Sequence, residues 1–457
     1  HLVHEYPLEG KPPMMTHLFE NEQKDRIIAA KGAPEAILNV SQLSEEEKDK
    51  VREVIKKFGE QGYRVIGVAK SHFEGNNFPV KQHDFTFEFL GLTVFYDPPK
   101  KGTRNVLQQI DGAGSEVKVI TGDNAERTKA IAMQAGIINE SPAVNGSEIA
   151  ASSEDDLIKL SENTTLFTRM FPEAKLEVVN ALKAQGNVVA MLGDGVNDGP
   201  ALKAAHIGVA MGNKGTEIAK SAAALVITND DLEKLVVGIA AGRRIYSNIK
   251  KAVQYIISIH IPIILTVSLP LFLGWIFPHI FTPVHVIFLE LVMGPTCSIV
   301  YENEPIEKNA MKRPPRALTE TFLNWRELTV SIIQGLVITA GVLWMYPSSV
   351  DLGNDEAKTR ALVFSTLIFA NILLSLVNRS FYYSIFESFK NRNFLLMGIS
   401  ALVLVLLFVI LYVKPVSGFF SVTPLAVNEL GISLLVAATS VLWFEVYKLI
   451  KKYKRKK

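Results

Sequence analysis

The chain has 457 residues, of which 48% are hydrophobic and 21% are charged, and its formal net charge is +2. This length accommodates two or three domains. The single cysteine, Cys297, excludes a disulfide-stabilised fold and suits a reducing compartment. So small a net charge gives no indication of a nucleic-acid partner, and we expect none.

The first 96 residues alternate strand-like and helical patterns, which is typical of an α+β domain. Residues 26–30 have a strand-like pattern that runs into the segment Lys-Gly-Ala-Pro-Glu at 31–35. Ser44 and Glu47 form a capping-box pattern at the start of an amphipathic helix. Residues 63–68 again have the composition of a strand. We therefore predict a small domain over residues 1–96.

Residues 97–100, Asp-Pro-Pro-Lys, separate this domain from the next one. Two consecutive prolines fix φ and end the preceding strand, so we expect a stiff hinge. From residue 102 to about residue 241, strand and helix patterns alternate, which predicts a doubly wound parallel sheet. The predicted strands cover residues 116–120, 164–168, 187–192, 207–211 and 224–228. The predicted helices cover residues 124–135, 172–185, 200–205 and 216–222.

Two of these strands end in loops rich in oxygen ligands. One loop holds Thr121, Gly122 and Asp123, and the other reads Gly-Asp-Gly-Val-Asn-Asp over residues 193–198. Open α/β sheets bind ligands at the carboxyl ends of their strands, and carboxylates there suit Mg²⁺. Each loop alone is also compatible with an ordinary turn between a strand and a helix, and the glycine spacing does not match a dinucleotide-binding loop.

A third motif, Phe-Pro-Glu-Ala-Lys at residues 171–175, opens an amphipathic helix. A threonine hydroxyl (Thr121), a lysine (Lys175) and a metal-binding aspartate (Asp194) are the groups that a transferring phosphoryl group requires around its oxygens. The three motifs together therefore predict phosphoryl chemistry in this domain.

After residue 250 the sequence becomes strongly apolar. Six apolar runs cover residues 252–277, 284–300, 328–346, 361–377, 394–413 and 430–450. Most are close to the roughly 20 residues needed to cross a bilayer, and soluble domains of this size do not contain six such runs. We predict an all-α membrane domain of six transmembrane helices in contact with the lipid bilayer.

Lysine and arginine are concentrated in alternate loops of this region. Residues 308–326, residues 379–392 and the tail at 448–457 are rich in both, whereas the opposite loops hold Lys358, Arg360 and Lys414 beside three acids. By the positive-inside rule the catalytic part and the carboxyl terminus are both cytoplasmic. We expect a multi-pass protein of the plasma or inner membrane.

Glu290 is the mid-membrane carboxylate of this sequence, and His260 in the preceding run is its strongest candidate partner. Ionisable groups inside the bilayer are costly and indicate function by default. Pro262 and Pro295 lie nearby and free backbone carbonyls that can line an ion site. The alternative is a polar pair that holds two helices together.

These motifs resemble, in their order, those of the P-type cation-transporting ATPases, and the residues from Glu290 to Arg316 resemble the calcium and sodium/potassium pump branch. The resemblance implies a partial nucleotide-binding domain (1–96), a haloacid-dehalogenase-like phosphorylation domain (97–248) and a transmembrane domain (249–457). It implies ATP and Mg²⁺ as cofactors and ATP-driven transport of a cation.

The resemblance also implies roles for individual residues. Thr121 and Lys175 contact the phosphate, Asp194 and Asp198 hold Mg²⁺, and Asn197 with Asp198 completes the catalytic pocket. The ATP-binding residues that it implies are Lys31, Gly32, Arg64, Thr121, Gly122 and Asp123. Glu290 and His260 are expected to bind the transported ion.

The sequence departs from the family in three places. It contains no Asp-Lys-Thr-Gly segment with the aspartate nucleophile, and no Thr-Gly-Glu-Ser loop. We therefore expect a carboxyl-terminal fragment that is inactive without the missing amino-terminal half of the same pump. Leu8 stands where the family has an aromatic residue that stacks on adenine, so stacking is either lost or supplied by Tyr6.

The third departure concerns the ion. The related pumps have acids where this chain has Ile263 and Gly294. Because Ca²⁺ requires many oxygen ligands, a proton or one monovalent cation fits Glu290 and a titratable His260 better. Two other functions stay open: a membrane-anchored phosphatase, and a non-catalytic regulatory membrane protein that retains the ATPase-like domains.

Overall fold

The computed structural model describes residues 1–10, 12–73, 75, 77–137, 141–381, 383–385, 387 and 393–454. The chain divides into two compact units. The first comprises His1–Val236 with Lys312–Leu318, and the second comprises Val237–Met311 with Thr319–Lys457. The basic positions 390, 392 and 455–457, which contributed to the predicted orientation, lie outside the described residues.

The amino-terminal part of the first unit is an antiparallel sheet of five strands in the order β1-β2-β3-β4-β5. The strands are β1 (Leu2–Glu9), β2 (Met14–Glu20), β3 (Arg26–Gly32), β4 (Arg64–Ser71) and β5 (Glu88–Phe95). Helices α1 (Pro34–Asn39) and α2 (Glu45–Glu60) connect β3 to β4. The predicted capping box is confirmed, since Ser44 accepts the Glu47 N–H and Glu47 accepts the Ser44 N–H.

The rest of the first unit holds two parallel sheets of three strands, in the orders β6-β8-β7 and β11-β10-β9. The strands are β6 (Val119–Ile120), β7 (Val144–Asn145), β8 (Leu166–Thr168), β9 (Ala190–Gly193), β10 (Ile207–Met211) and β11 (Leu225–Ile227). The helices are α3 (Thr103–Gly112), α4 (Ala125–Gln134), α5 (Gly146–Ala151), α6 (Glu154–Asn163), α7 (Pro172–Ala184), α8 (Gly199–Ala204) and α9 (Glu217–Ala222).

The sequence predicts one parallel sheet, whereas the structure has two. The division falls between β6 and β9, each of which is an edge strand of its own sheet among the described residues. The two sheets nevertheless lie against neighbouring cores. Ile120 of β6 and Val189, just before β9, each pack against both hydrophobic clusters of this region. The predicted positions of strands and helices are confirmed by the structure, whereas the predicted pairing of all strands in one sheet is not.

The second unit is helical. Its helices are α10 (Glu233–Phe272), which begins in the first unit, α11 (Pro283–Pro295), α12 (Trp325–Asp351), α13 (Glu356–Val377), α14 (Phe394–Tyr412), α15 (Lys414–Phe419) and α16 (Val427–Lys454). Five of the described helices, α10, α12, α13, α14 and α16, are long and apolar enough to cross a membrane. The remaining predicted run, residues 284–300, forms the 13-residue α11, which continues into a π-helical turn at Thr296–Val300.

The predicted boundary at residues 248–249 falls inside α10, a continuous helix of 40 residues. Along the chain, the first unit ends at Val236 and the second begins at Val237, near the start of the same helix. Charge and hydropathy change gradually along a helix that leaves one unit and enters another, so composition alone locates such a boundary only approximately.

Candidate functional site

A buried ion pair stands at the centre of the predicted phosphate site. Lys175 lies in the first turn of α7, and its Nζ is 2.6 Å from Oδ1 of Asp198. The two side chains are only 12% and 10% exposed. The other oxygen, Oδ2, accepts the backbone N–H groups of Asp194 at 3.2 Å and Gly195 at 3.1 Å. Asp198 therefore orients both the lysine and the loop after β9.

Gly193, the last residue of β9, makes this arrangement possible. A Cβ atom at this position would lie 2.6 Å from Cβ of Asp198 and 2.9 Å from its Oδ2. Such distances are well inside van der Waals contact, so a side chain here would displace the carboxylate from Lys175. The first glycine of the 193–198 motif is required by packing.

The loop after β6 is fixed to the end of β8. The N–H of Thr121 donates to Phe167 O at 2.9 Å, and the Thr121 carbonyl accepts the Met170 N–H at 2.9 Å. The Thr121 hydroxyl accepts the Asp123 N–H at 3.2 Å, and Asn124 caps α4. The loop therefore holds the hydroxyl of Thr121 at the carboxyl end of a short strand, as the motif predicts.

Asp194 and Asn197 are exposed, in contrast to Asp198. Among the described residues, no protein donor contacts the Asp194 carboxylate. A free, exposed carboxylate beside the Lys175–Asp198 ion pair is chemically suited to Mg²⁺, which prefers oxygen ligands and retains several waters. Both oxygens of Asp198 are already engaged by protein donors. Its assignment as a second magnesium ligand stays a prediction.

The predicted ATP residues lie around one pocket of about 300 Å³ in the first unit. Lys31, Gly32, Arg64, Gly122 and Asp123 line it, whereas Thr121 is not among the lining residues. Leu8, which stands at the family's adenine-stacking position, also lines it. Further lining residues that the sequence analysis did not identify are Pro13, Met15, Ala33, Pro34, Tyr63, Val65, Ile66, Asn124, Arg127 and Arg169.

The lining carries more positive than negative charge. Lys31, Arg64, Arg127 and Arg169 contribute four cationic side chains, and Asp123 is the one acid among the lining residues of this pocket. Arg127 pairs with Asp123, and Arg169 lies 2.6 Å from the Glu35 carboxylate. Cationic guanidinium groups beside an apolar surface suit a phosphorylated ligand with a flat base.

Of the two missed arginines, only Arg127 had a local signal. It stands four residues after Asp123, the spacing at which helical side chains meet. Arg169 follows β8 directly, and its positive φ of 50° is seen only in the structure. The proposed role of Tyr6 in stacking is wrong, because Tyr6 is buried in the sheet core and its hydroxyl donates to the Pro79 carbonyl. Leu8 does line the pocket.

In the second unit the structure brings the predicted ion pair together. His260 Nε2 of α10 lies 3.5 Å from Glu290 Oε1 of α11. The His260 Nδ1 atom lies 2.8 Å from the Ile256 carbonyl, which orients the ring. The side chains of His260 and Glu290 are 35% and 46% exposed, so the described helices do not enclose the pair.

Comparison with known proteins agrees with both halves of this description. Residues 26–206 match the family of haloacid dehalogenase-like hydrolases, and residues 278–450 match the carboxyl-terminal region of cation-transporting ATPases.

Individual relatives match along most of the chain. A calcium-transporting ATPase of Bacillus subtilis is 29% identical over 93% of this chain and 49% of its own length. Calcium-transporting ATPase 1 of Lactococcus lactis is 30% identical over 87% of this chain and 46% of its length. The human calcium-transporting ATPase type 2C member 1 is 27% identical over 99% of this chain and 49% of its length.

The chain spans about half the length of the curated relatives that it matches. Family matches cover both its α/β part and its helical part. These matches support assignment of the chain to the P-type cation-transporting ATPases.

Proposed function

We propose that this chain contains the ATP-processing and ion-conducting parts of an ATP-driven cation pump. The observation that carries the proposal is the presence, on one polypeptide, of the Lys175–Asp198 phosphate site and of a carboxylate–imidazole pair on apolar helices. Helix α10 links them directly, since it begins in the first unit and carries His260.

In this proposal the 300 Å³ pocket binds ATP. Lys31, Arg64 and the arginines of the lining neutralise the phosphates, and Gly32 lets the ligand approach the backbone closely. Asp194 holds Mg²⁺, which would neutralise charge on the transferred phosphoryl group. Thr121 donates from its hydroxyl, and Lys175, held by Asp198, places its ammonium at the phosphoryl oxygens.

Covalent phosphorylation requires a nucleophilic carboxylate that these 457 residues do not contain in its family motif. We propose that a segment outside this sequence supplies it on a strand that pairs with β6 and β9. Both are edge strands among the described residues, and Ile120 and Val189 pack against the same two cores. The partner is then the amino-terminal half of the pump.

We propose six transmembrane helices, with α11 and its π-helical turn, residues 283–300, as the short member. The lysine and arginine content of the loops supports a cytoplasmic location for the first unit and the carboxyl terminus. Because the Glu290 carboxylate would cost about 3 kcal/mol at the bilayer centre, a bound cation or a further helix must cover its exposed side.

The transported ion is proposed to be a proton or a monovalent cation. The described residues contain no group of three or more histidine, cysteine or acidic side chains arranged to hold a metal ion. Calcium requires six to eight oxygen ligands. Relatives of the chain are named calcium-transporting ATPases, so calcium belongs in every transport test.

Nucleotide binding is tested on the purified chain by calorimetric titration with a non-hydrolysable ATP analogue and Mg²⁺. Arg64→Ala should weaken binding by about tenfold, or 1.4 kcal/mol. Arg52→Ala is the matched control, because Arg52 lies on the exposed surface of α2, where it pairs with Asp49. Equal affinity in wild type and Arg64→Ala would contradict the pocket assignment.

The catalytic proposal is tested with radiolabelled ATP and acid precipitation. The chain alone should retain no label, and label should appear when the amino-terminal half is co-produced. A chain that is labelled alone uses another nucleophile, as a membrane-anchored phosphatase would. A chain that never supports labelling is better explained as a regulatory membrane protein.

Ion transport is tested in vesicles that contain the complete protein, with protons, Na⁺, K⁺ and Ca²⁺ supplied separately. Glu290→Gln keeps the shape of the side chain but removes its charge, and should abolish ion-stimulated ATPase activity. Glu302→Gln, an exposed site in the same unit, is the control. Normal transport by Glu290→Gln for all four ions would make the His260–Glu290 pair structural.

A further inference from the structure

Asp230 is a buried carboxylate that the proposed chemistry does not use. It is 6% exposed and adopts a left-handed conformation with φ of 55°. Among residues other than glycine, aspartate and asparagine adopt this conformation most readily, and it persists only where the surroundings enforce it. Two sets of contacts enforce it here, one through the side chain and one through the main-chain carbonyl.

The side chain of Asp230 holds the turn after β10. Its Oδ1 accepts the Asn213 N–H at 3.0 Å, and its Oδ2 accepts the Lys214 N–H at 3.0 Å. Burial alone would raise the pKa of Asp230, but hydrogen bonds from these two amides and from Gly212, together with the nearby Lys100, lower it. The carboxylate is therefore ionised at neutral pH and accepts hydrogen bonds from the turn.

This turn is hydrogen-bonded to the loop that carries Asp194. A Cβ atom on Gly215 would lie 2.0 Å from the Met211 carbonyl, so the turn has one compact conformation. At its end the Thr216 N–H donates to the Asp194 carbonyl at 2.9 Å. A displacement of residues 212–216 therefore moves the backbone of Asp194.

The main chain of Asp230 contacts the predicted hinge. Lys100, the last residue of the Asp-Pro-Pro-Lys segment, donates from Nζ to the Asp230 carbonyl at 3.0 Å. Helix α10 begins three residues later, at Glu233. Asp230 thus contacts, within a few ångströms, the turn that holds Asp194 and the hinge that follows the nucleotide-binding part.

We propose that Asp230 is a positioning residue that couples the backbone of the Asp194 loop to the hinge at residues 97–100. The inference rests on the proposed function, because Asp194 is taken there as the magnesium-binding residue. Occupation of the Asp194 site is then transmitted to the hinge through residues 212–216 and Asp230.

The test measures amide hydrogen exchange by mass spectrometry on the complete chain in detergent. Asp230→Asn tolerates the left-handed backbone and keeps one acceptor but removes the charge. Asp231→Asn is the matched control, because its side chain caps Glu233 with an oxygen that asparagine retains. Lys100→Met removes only the contact to the hinge.

In Asp230→Asn, exchange should rise about tenfold in peptides covering residues 212–216, including the Thr216 amide that Asp230 does not touch. Lys100→Met should raise exchange only in residues 97–103. Unchanged exchange around β2 and β3 verifies folding. A rise limited to Asn213 and Lys214 would overturn the proposal, because Asp230 would then hold only its own turn.

Magnesium titration separates this inference from the proposed function. In wild type, MgCl₂ should slow exchange in residues 194–198, and Asp230→Asn should raise the midpoint of that titration three- to tenfold with unchanged nucleotide affinity. An unchanged midpoint would overturn the coupling role while leaving the magnesium site intact. No response to Mg²⁺ in wild type would overturn both.

Discussion

Replacement of Asp198 by alanine tests whether the Lys175–Asp198 pair organises the phosphate site. In the wild type both side chains are about nine-tenths buried. The change therefore leaves the Lys175 ammonium buried without its partner. Removal of one member of a buried ion pair costs about 3–5 kcal/mol, because the other charge stays desolvated. The amides of Asp194 and Gly195 lose a charged acceptor at the same time.

Lys175→Met in the Asp198→Ala background removes the stranded charge. The double variant should therefore be more stable locally than the sum of the two single changes predicts, by about 2 kcal/mol. Methionine fills nearly the same volume as the lysine stem, so the change removes the charge without leaving a large cavity. The interaction energy of the pair is the difference between the measured and the summed values.

The assay is the opening free energy of the Asp194 and Gly195 amides from hydrogen exchange, measured for wild type and the three variants. Lys203→Met, an exposed lysine on α8, serves as the control for loss of a positive charge. If the effect of the double variant equals the sum of the two single effects to within about 0.5 kcal/mol, the two side chains contribute independently. That result would refute the reasoning.

Three other substitutions have defined outcomes. Gly193→Ala should destabilise the same loop by about 1–3 kcal/mol in that exchange assay, because its Cβ would lie 2.6 Å from Cβ of Asp198. In the complete protein, Asp194→Asn should lower magnesium-dependent ATP turnover by about 100-fold or more with unchanged folding, as judged by steady-state kinetics and exchange. Arg127→Ala should weaken binding of the ATP analogue by about tenfold in calorimetry, and an unchanged affinity would place the phosphates elsewhere.

The sequence alone determined the features that depend on neighbouring residues. The 193–198 and 121–124 motifs identified loops at strand ends, since alternation of apolar residues and turn chemistry are local properties. The capping box at Ser44 and the apolar runs after residue 250 could be predicted for the same reason. Glu290 and His260 were identified as a pair because charges are rare in apolar helices.

Tertiary structure decided which distant groups meet. The Lys175–Asp198 pair joins the start of α7 to the turn before α8, and Arg169 lines the 300 Å³ pocket from the end of β8. The division of the parallel sheet between β6 and β9 and the links of Asp230 to Lys100 and the 212–216 turn belong to the same class. Such contacts join residues tens of positions apart, and local periodicity does not encode them. They form because packing of the cores brings particular backbone and side-chain groups within hydrogen-bonding distance.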